Sequence, residues 1–315
     1  MFSRGVFSTK QGVAALSIAS NSLLVLLKLF VGLAIGSVSV LSEAVHSGID
    51  LLAAVMAFFA VRSSGQPPDD RHHFGHGKVE SLSGFVESIL IFVAAILIVT
   101  EAAKKLAEGV HLETVDLGIA VMAVSALANT LVSRQLLKVA KATDSVALEA
   151  DGWHLTTDIL SSAGVALGLV VVRITGVSAL DPLIAIGVAA FICKAAYDIT
   201  RRSILDLLDT SLPEEEQSQI LAALDQHKGE LVGYHRVRSR KAGGQRHVDF
   251  HLVVRRDITV QQSHDLCNHL ERHLRSSLGP GASLNIHVEP CRGRCERCPL
   301  GASGTGDCPP EAQAS

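Results

Sequence analysis

Two short motifs of the same form hold the residues in this sequence that are best suited to chemistry. The first is His46-Ser-Gly-Ile-Asp50 and the second is His154-Leu-Thr-Thr-Asp158. Residues four apart lie on one face of a helix, so each motif would place an imidazole beside a carboxylate. Two such motifs facing each other would supply two nitrogen and two oxygen ligands. That set fits tetrahedral Zn²⁺.

In a soluble helix, such a pair usually lies on the protein surface. Both motifs here lie in segments apolar enough to cross a membrane, so that explanation does not apply. Ionisable groups are costly in a bilayer, so two matched pairs call for a function. The alternative is a structural polar network between helices. Metal transport is favoured because imidazole and carboxylate together match Zn²⁺ better than they match a packing role. Ligand type separates Zn²⁺ poorly from Cd²⁺, Co²⁺, Fe²⁺ and Ni²⁺.

The composition indicates a membrane domain joined to a soluble one. The 315 residues are 48% hydrophobic and 19% charged, with a net charge of -3 that gives no indication of nucleic-acid binding. A span needs about 20 apolar residues. Six segments qualify, approximately Val13 to Ile35, Val40 to Val61, Leu82 to Ala102, Leu117 to Leu137, Val146 to Ile174 and Leu183 to Ile199. Lys28 lies inside the first and is expected to snorkel toward the interface.

The distribution of basic residues predicts the orientation of the spans. An even number of spans puts both chain ends on one side, and lysine and arginine favour the cytoplasmic side. Most lie on one set of ends and loops: Arg4, Lys10, Arg62, Arg71, Lys78, Arg134, Lys138, Lys141, Arg201 and Arg202. The other set holds Lys104, Lys105 and Arg173. We expect a multi-pass inner-membrane protein with both termini in the cytoplasm and, because Met1 to Gln11 is short and polar, no cleavable signal peptide.

After Pro213 the pattern changes to that of a small α+β domain. Helices are predicted at Glu214 to His227 and Thr259 to Leu278, and strands at Gly233 to Arg240, Arg246 to Arg255 and Ser283 to Glu289. The order αββαβ predicts a ferredoxin-like layer of helices on a sheet. We expect a transmembrane transport domain at 1–210, a cytoplasmic metal-binding and dimerisation domain at 211–291, and an irregular Cys-rich tail at 292–315.

Two further groups of residues could bind metal. Asp69, His72 and His76 are spaced to converge on one ion from a short turn, with glycines that let the backbone bend. Spacing alone favours this no more than a solvated loop. In the C-terminal domain, several histidines and Glu289 face away from the predicted core: His235, His251, His264, His287 and Glu289. The tail cysteines Cys291, Cys295, Cys298 and Cys308 are compatible with a thiolate site or with an irregular tail.

From about Val13 to Cys291 the chain resembles the cation diffusion facilitators, a family of six-span divalent-metal exporters. The stretch Gly36-Ser-Val-Ser-Val-Leu-Ser-Glu-Ala-Val-His-Ser-Gly-Ile-Asp50 is similar to the family's second-helix signature. Asp69-Asp-Arg-His-His-Phe-Gly-His-Gly-Lys-Val-Glu80 is similar to its first cytoplasmic loop. The resemblance implies a transport site between the second and fifth helices, with His46, Asp50, His154 and Asp158 as ligands. Bacterial zinc and iron members often have Asp at the position of His46, and the arrangement here resembles the zinc-preferring branch.

The resemblance also implies several features outside the transport site. Asp69, His72 and His76 would bind a second zinc, and Lys78 would pair with Asp209 of the other protomer in a homodimer. The cytoplasmic domain would dimerise around a binuclear regulatory zinc site, whose ligand positions match His235, His251, His264, His287 and Glu289.

These observations predict a homodimeric efflux transporter in the membrane lipid that exchanges cytoplasmic Zn²⁺ for external protons. Zn²⁺ would be both the cargo and the regulatory ligand. The alternatives are an exporter that prefers iron, cadmium, cobalt or nickel, and a membrane-bound zinc sensor or non-transporting scaffold. Four buried ligands argue against the scaffold, since it would not need them. An enzyme is not expected, because the sequence has no nucleophile–base pair and no phosphate-cradling loop.

Overall fold

A computed structural model of the chain describes residues 8–35, 38–108, 116–177, 179–279 and 281–291. The chain divides into two compact units, Met1–Leu207 and Leu208–Ser315, which are described separately. The three tail cysteines beyond Cys291 lie outside the described residues. Cys291 itself is buried directly after the last strand.

The first unit consists of long helices. Their bounds are α1 Lys10–Ile35, α2 Val38–Ser64, α3 Lys78–Glu108, α4 Asp116–Thr143, α5 Val146–Thr175 and α6 Leu180–Leu207. Four described segments are long and apolar enough to cross a membrane: Lys10–Ala34, Ala44–Ser64, Lys78–Lys104 and Pro182–Leu207. The other two helices, α4 and α5, are of similar length, with 28 and 30 residues. The predicted six-helix membrane domain is confirmed.

Small residues allow α5 to lie very close to its neighbours. A Cβ atom on Gly152 of α5 would stand 2.8 Å from Cγ of Leu137 on α4. A Cβ atom on Gly84 of α3 would stand 2.6 Å from Cγ1 of Val146, the first residue of α5, and 3.1 Å from Oγ of Ser203. Close approach of this kind is how helices pack in a membrane, where the hydrophobic effect does not hold them together. It fixes the position of the α5 motif relative to α3 and α4.

A buried carboxylate joins the ends of several helices. Glu80, in the first turn of α3, is 0% exposed. Lys10 of α1 donates a hydrogen bond to it at 2.8 Å, and Ser64 of α2 donates another at 2.6 Å. Ser145, directly before α5, donates to its second oxygen. Because the charge is buried, these donors are needed to offset its loss of water. They hold the start of α3, and with it the preceding loop, against the other helices.

The second unit has the order αββαβ, as predicted. Its elements are α7 Glu214–Asp225, β1 Gly233–Ala242, β2 Gln245–Val254, α8 Val260–Leu278 and β3 Ser283–Pro290. The strand order is β1-β2-β3, with β1 antiparallel and β3 parallel to β2. Both helices pack on one face of the sheet, where Ile220, Leu224, Leu270 and Leu274 meet Phe250 in a single core.

The register of the sheet aligns three histidines on its other face. His235 of β1 is opposite His251 of β2, which is opposite His287 of β3. Successive side chains in a strand point to opposite faces, so the residues on either side of a core residue along the strand face away from the helices. His251 lies between the core residues Phe250 and Leu252 and therefore points away from α7 and α8. The pairing thus brings together histidines from three different strands.

Candidate metal centres

The two helical motifs meet inside the first unit and form what we call the α2–α5 site: His46, Asp50, His154 and Asp158. Nε2 of His154 lies 3.0 Å from Oδ1 of Asp50, so a residue of α5 contacts one of α2. The reciprocal contact, from Nε2 of His46 to Oδ1 of Asp158, measures 3.5 Å. Nε2 of His46 is also 3.9 Å from Oδ1 of Asp50. Ligand atoms of His46, Asp50 and Asp158 all lie within 4.8 Å of one another, and His154 joins this group through its contact with Asp50.

The four side chains of the α2–α5 site differ in access. Asp50 is 3% exposed and His154 is 5% exposed. The side chain of His46 is 48% exposed and that of Asp158 is 20% exposed. A cavity of about 30 Å³ borders His46, Asp50 and Asp158, with Asn129 of α4 also in its wall. The site therefore has a buried half, which fixes its geometry, and an open half formed largely by His46.

Lys28 belongs to the same cavity, and the prediction that it snorkels to the interface is wrong. The residue is 5% exposed, and its Nζ donates a hydrogen bond of 2.8 Å to Oγ of Ser47, the neighbour of His46. Its ammonium thus lies within the helix bundle at the wall of the α2–α5 site. Nothing in the local sequence of α1 signals this contact, because Ser47 lies on another helix.

The predicted loop residues also come together, forming the loop site of Asp69, His72 and His76. Nδ1 of His72 is 3.1 Å from Oδ1 of Asp69, and Nε2 of His76 is 3.3 Å from its Oδ2. The two imidazole rings lie with their centroids 4.3 Å apart. Gly75 between them has a φ of +78°, a conformation that favours glycine and turns the chain back.

Backbone hydrogen bonds keep the carboxylate of the loop site charged. The N–H groups of Arg71 and His72 donate to Oδ1 of Asp69 at 2.9 and 2.6 Å. These bonds, that of Arg71 first, lower the pKa of Asp69 below its ordinary value. Asp69 and His72 are about half exposed, while the side chain of His76 is 10% exposed. The loop thus presents an ionised carboxylate and one imidazole, that of His72, to the surrounding water, while the imidazole of His76 is largely buried.

Lys78 and Asp209 each have contacts within their own unit. Nζ of Lys78 donates to the carbonyl oxygen of Leu207 at 3.2 Å. Asp209, in the second unit, accepts a hydrogen bond of 3.1 Å from Nη1 of Arg240. The expected bridge joins two protomers, so it stays a prediction.

On the open face of the sheet, Glu289 gathers the aligned histidines into what we call the sheet site: His235, His251, His287 and Glu289. Oε1 of Glu289 lies 2.7 Å from Nδ1 of His251 and 3.6 Å from Nε2 of His287. Its Oε2 lies 3.4 Å from Nε2 of His235. One carboxylate therefore contacts all three imidazoles. The arrangement offers nitrogen and oxygen ligands for one or more transition-metal ions.

His264, which was grouped with these residues, lies elsewhere in the domain. It is exposed on α8, and α8 packs on the face of the sheet opposite the sheet site. Within one chain the structure does not bring His264 to the sheet site.

A further histidine cluster was not predicted from the sequence. It lies between the end of α7 and α8, and we call it the α7–α8 cluster: His227, Glu230, His269 and His273. His227, Glu230 and His269 each offer one ligand atom, all within 4.8 Å of one another. The available signal was the spacing of His269 and His273, four apart on one helix, together with a histidine at the end of the other.

Comparison with known proteins shows similarity along nearly all of the described chain. Residues 14–208 match the family model of the cation efflux transmembrane domain. Residues 212–291 match the model of the cation efflux protein cytoplasmic domain, named ZT_dimer. An uncharacterized transporter of Synechocystis sp. is 35% identical over 277 residues, 88% of this chain and 89% of that protein. The cation-efflux pump FieF of Yersinia pestis is 32% identical over 279 residues, 88% of this chain and 92% of that protein.

Among solved structures, CzrB in its Zn form is similar to a part of the chain. It is 42% identical and covers 25% of this chain and 90% of its own length, with a TM-score of 0.24.

Proposed function

The chain belongs to the cation diffusion facilitator family of divalent-cation efflux transporters, and we propose that its cargo is Zn²⁺, exchanged for external protons. The observation that carries the proposal is the α2–α5 site, where two imidazoles and two carboxylates from two helices meet through three pairwise contacts of 3.0 to 3.9 Å. Mixed nitrogen and oxygen ligands in a small cavity suit Zn²⁺ better than Mg²⁺ or Ca²⁺, which prefer oxygen alone.

The side chains of the α2–α5 site explain both the binding of Zn²⁺ and its replacement by protons. Asp50 and Asp158 together neutralise a divalent cation, which lowers the cost of holding it away from water. Imidazole binds metal only in its neutral form and takes up protons near neutral pH. Protons that arrive from outside therefore compete with Zn²⁺ for His46 and His154. A rocking of the helices that opens the site to one side and then the other completes the cycle.

Transport by reconstituted protein tests the site. Vesicles that contain the full chain are given a pH gradient and Zn²⁺, and Zn²⁺ movement is followed with a fluorescent indicator. We expect Asp50→Asn to lose nearly all transport, because it removes charge from the most buried ligand. Asp198→Asn is the matched control, since Asp198 is an exposed carboxylate on α6, another of the membrane-domain helices. Equal transport by Asp50→Asn and the parent protein would contradict the assignment of the site.

The same vesicles test the exchange of ions. Collapse of the proton gradient with an ionophore is expected to abolish uphill movement of Zn²⁺ while leaving downhill movement. Uphill movement that continues after the collapse would rule out proton antiport but would leave Zn²⁺ as the cargo.

We assign transport to residues 1–210, and dimerisation and metal sensing to residues 211–291. The match to the ZT_dimer model supports a homodimer. Zn²⁺ at the sheet site would regulate the dimer, with His264 available to a site completed by the second protomer. Zn²⁺ at the loop site would lie beside Lys78, which begins α3. The excess of basic residues on one set of loops supports an inner-membrane orientation with both termini in the cytoplasm.

A further inference from the structure

We propose that the α7–α8 cluster is a separate divalent transition-metal site, which links the turn after α7 to α8. His227, Glu230 and His269 are the ligands, and His273 is a positioning residue that orients His227. The proposal does not depend on which ion the membrane domain transports.

The turn after α7 places two of the ligands side by side. α7 ends at Asp225, and the chain then folds back in hydrogen-bonded turns. The N–H of Glu230 donates to the carbonyl oxygen of His227 at 2.8 Å, and the N–H of Leu231 donates to the same oxygen at 3.3 Å. Leu231, 1% exposed, anchors the turn in the core. As a result, Nδ1 of His227 lies 3.4 Å from Oε1 of Glu230.

The helix α8 presents the remaining members of the cluster from one face. His269 and His273 are four residues apart, and each is next to a core residue, Leu270 and Leu274, that is 1% exposed. These leucines hold α8 against the sheet, so the two imidazoles lie at the edge where α8 meets α7. Their ring centroids are 5.0 and 5.1 Å from that of His227.

The two edges of the His227 ring have different neighbours. Nε2 lies 2.8 Å from Nδ1 of His273, which is a hydrogen-bond distance between two imidazoles. Nδ1 lies on the other edge, toward Glu230. A histidine that binds metal through one nitrogen usually donates a hydrogen bond from the other. His273 therefore fits the role of the acceptor that fixes the tautomer of His227.

Burial and ligand type favour a transition metal at this cluster. His227 is 9% exposed, whereas the side chain of Glu230 is 55% exposed. Surrounding residues therefore fix the position of His227, while an ion at the site could exchange with solvent on the side of Glu230. The cluster lines a surface groove together with Gln226 and Arg272, and Nε of Arg272 donates to the carbonyl oxygen of Asn268 at 3.2 Å. Two imidazoles and one carboxylate suit Zn²⁺, Co²⁺ or Ni²⁺ better than Ca²⁺ or Mg²⁺.

The cluster is distinct from the sheet site. The helices α7 and α8 cover one face of the sheet, and the sheet site lies on the other. A metal ion in the α7–α8 cluster would connect the turn after α7 directly to α8. It would thus stabilise the layer that supports the sheet, in addition to any ion on the open face.

Counting bound Zn²⁺ tests the proposal on the full-length protein. The chelator-treated protein in detergent is dialysed to equilibrium against Zn²⁺, and the number of ions per chain and their affinities are measured. We expect His269→Ala and Glu230→Gln each to bind one ion fewer than the parent protein. We expect His273→Gln to keep that ion with about 10–100-fold lower affinity, the usual effect of losing an orienting partner.

Controls separate this site from the others. Asn268→Ala changes an exposed neighbour on α8 and is expected to bind as many ions as the parent. Asp50→Asn should lose a different ion, so the double variant Asp50→Asn with His269→Ala should lose two. Glu230 is exposed on a turn, and its substitution leaves the core intact. Glu230→Gln therefore still tests the proposal if His269→Ala misfolds. Unchanged Zn²⁺ binding by both His269→Ala and Glu230→Gln would overturn the proposal.

Discussion

At the scale of single residues, the α2–α5 site is asymmetric. His154 and Asp50 are buried and contact each other at 3.0 Å, so their geometry is set by the surrounding helices. His46 is about half exposed and makes longer contacts, 3.5 Å to Asp158 and 3.9 Å to Asp50. A ligand with room to move can be exchanged without disturbing the fold. His46 is therefore the position at which a change of ligand should act on the choice of metal.

The substitution His46→Asp tests this asymmetry. It replaces an imidazole by a carboxylate, so the site becomes richer in oxygen and better suited to harder ions. We expect transport of Mn²⁺ and Fe²⁺ to rise relative to Zn²⁺. The measurement is flux into vesicles for Zn²⁺, Cd²⁺, Co²⁺, Fe²⁺, Mn²⁺ and Ni²⁺, with the parent protein beside the variant. An unchanged order of metals would show that selectivity lies with the other three ligands.

At the scale of elements, the position of α5 depends on how closely it can approach α4. The approach is set by Gly152, two residues before His154, because an added Cβ would meet Leu137 at 2.8 Å and Leu136 at 3.3 Å. The α5 motif can bind metal only if α5 stays at this distance. A small residue outside the motif is thus as necessary to the site as the ligands are.

Gly152→Val should therefore damage both stability and transport. Overpacking a close helix contact usually costs about 1–3 kcal/mol, and the shift of α5 would separate His154 from Asp50. The measurements are the thermal stability of the protein in detergent and Zn²⁺ flux in vesicles. Gly187→Ala on α6 is the matched control, because nothing lies within 4 Å of an added Cβ there. If Gly152→Val is as stable and active as the control, the close contact does not position the site.

In the second unit, a hydrogen bond joins α7 to β1. The phenol of Tyr234 donates to Oδ1 of Asp225 at 2.6 Å. Burial and this carboxylate raise the pKa of Tyr234 to about 12, and the hydrogen bond from Tyr234, aided by Lys228, lowers the pKa of Asp225. The raised pKa means that Tyr234 stabilises the fold fully below its ordinary pKa of about 10, and that this stabilisation is lost as the pH rises to about 12. The stabilisation from Asp225 is lost in acid, as the pH falls through the lowered pKa of this residue.

Titration of tyrosine absorbance checks this bond. The chain has 2 tyrosines, Tyr197 on α6 and Tyr234. We expect the parent protein to show a tyrosinate component with a midpoint near pH 12. Tyr234→Phe should lack that component. A Tyr234 that ionises at the ordinary value would mean that its bond to Asp225 does not form in solution.

At the scale of the whole molecule, we expect function to depend on how two copies of the chain meet. The family model of the cytoplasmic region supports a dimer. Lys78 begins α3 directly after the loop site, and Asp209 lies at the start of the second unit. A salt bridge between these residues of different protomers would connect the two domains of the dimer at the point where each chain passes from one to the other.

Charge reversal tests that bridge. We expect Lys78→Glu to weaken the dimer and reduce transport, because two carboxylates would then face each other. The double variant Lys78→Glu with Asp209→Lys should recover both, as measured by light scattering and vesicle flux. Lys138→Glu, at an exposed lysine of α4, controls for the change of net charge. Failure of the double variant to recover would indicate that these residues act within each chain, through Leu207 and Arg240.

The sequence by itself determined the elements and the type of their ligands. Hydrophobic segments of span length predicted α1 to α6, and alternation of apolar residues predicted β2 from Arg246 to Arg255, against the observed Gln245–Val254. These signals are local, since helix and strand periodicity are properties of neighbouring residues. The spacing of His46 to Asp50 and of His154 to Asp158 likewise requires only a helix to place each pair on one face.

The tertiary structure decided which of these residues meet. Lys28 reaches Ser47 on another helix, His227 contacts His273 on α8, and His264 lies across the sheet from the residues grouped with it. No periodicity encodes such contacts, because each depends on the distance between elements remote in sequence. That distance is set by packing, as at Gly152, and by strand register, as at His251. The sequence thus specified the residues of the paired motifs, and packing determined that these residues meet.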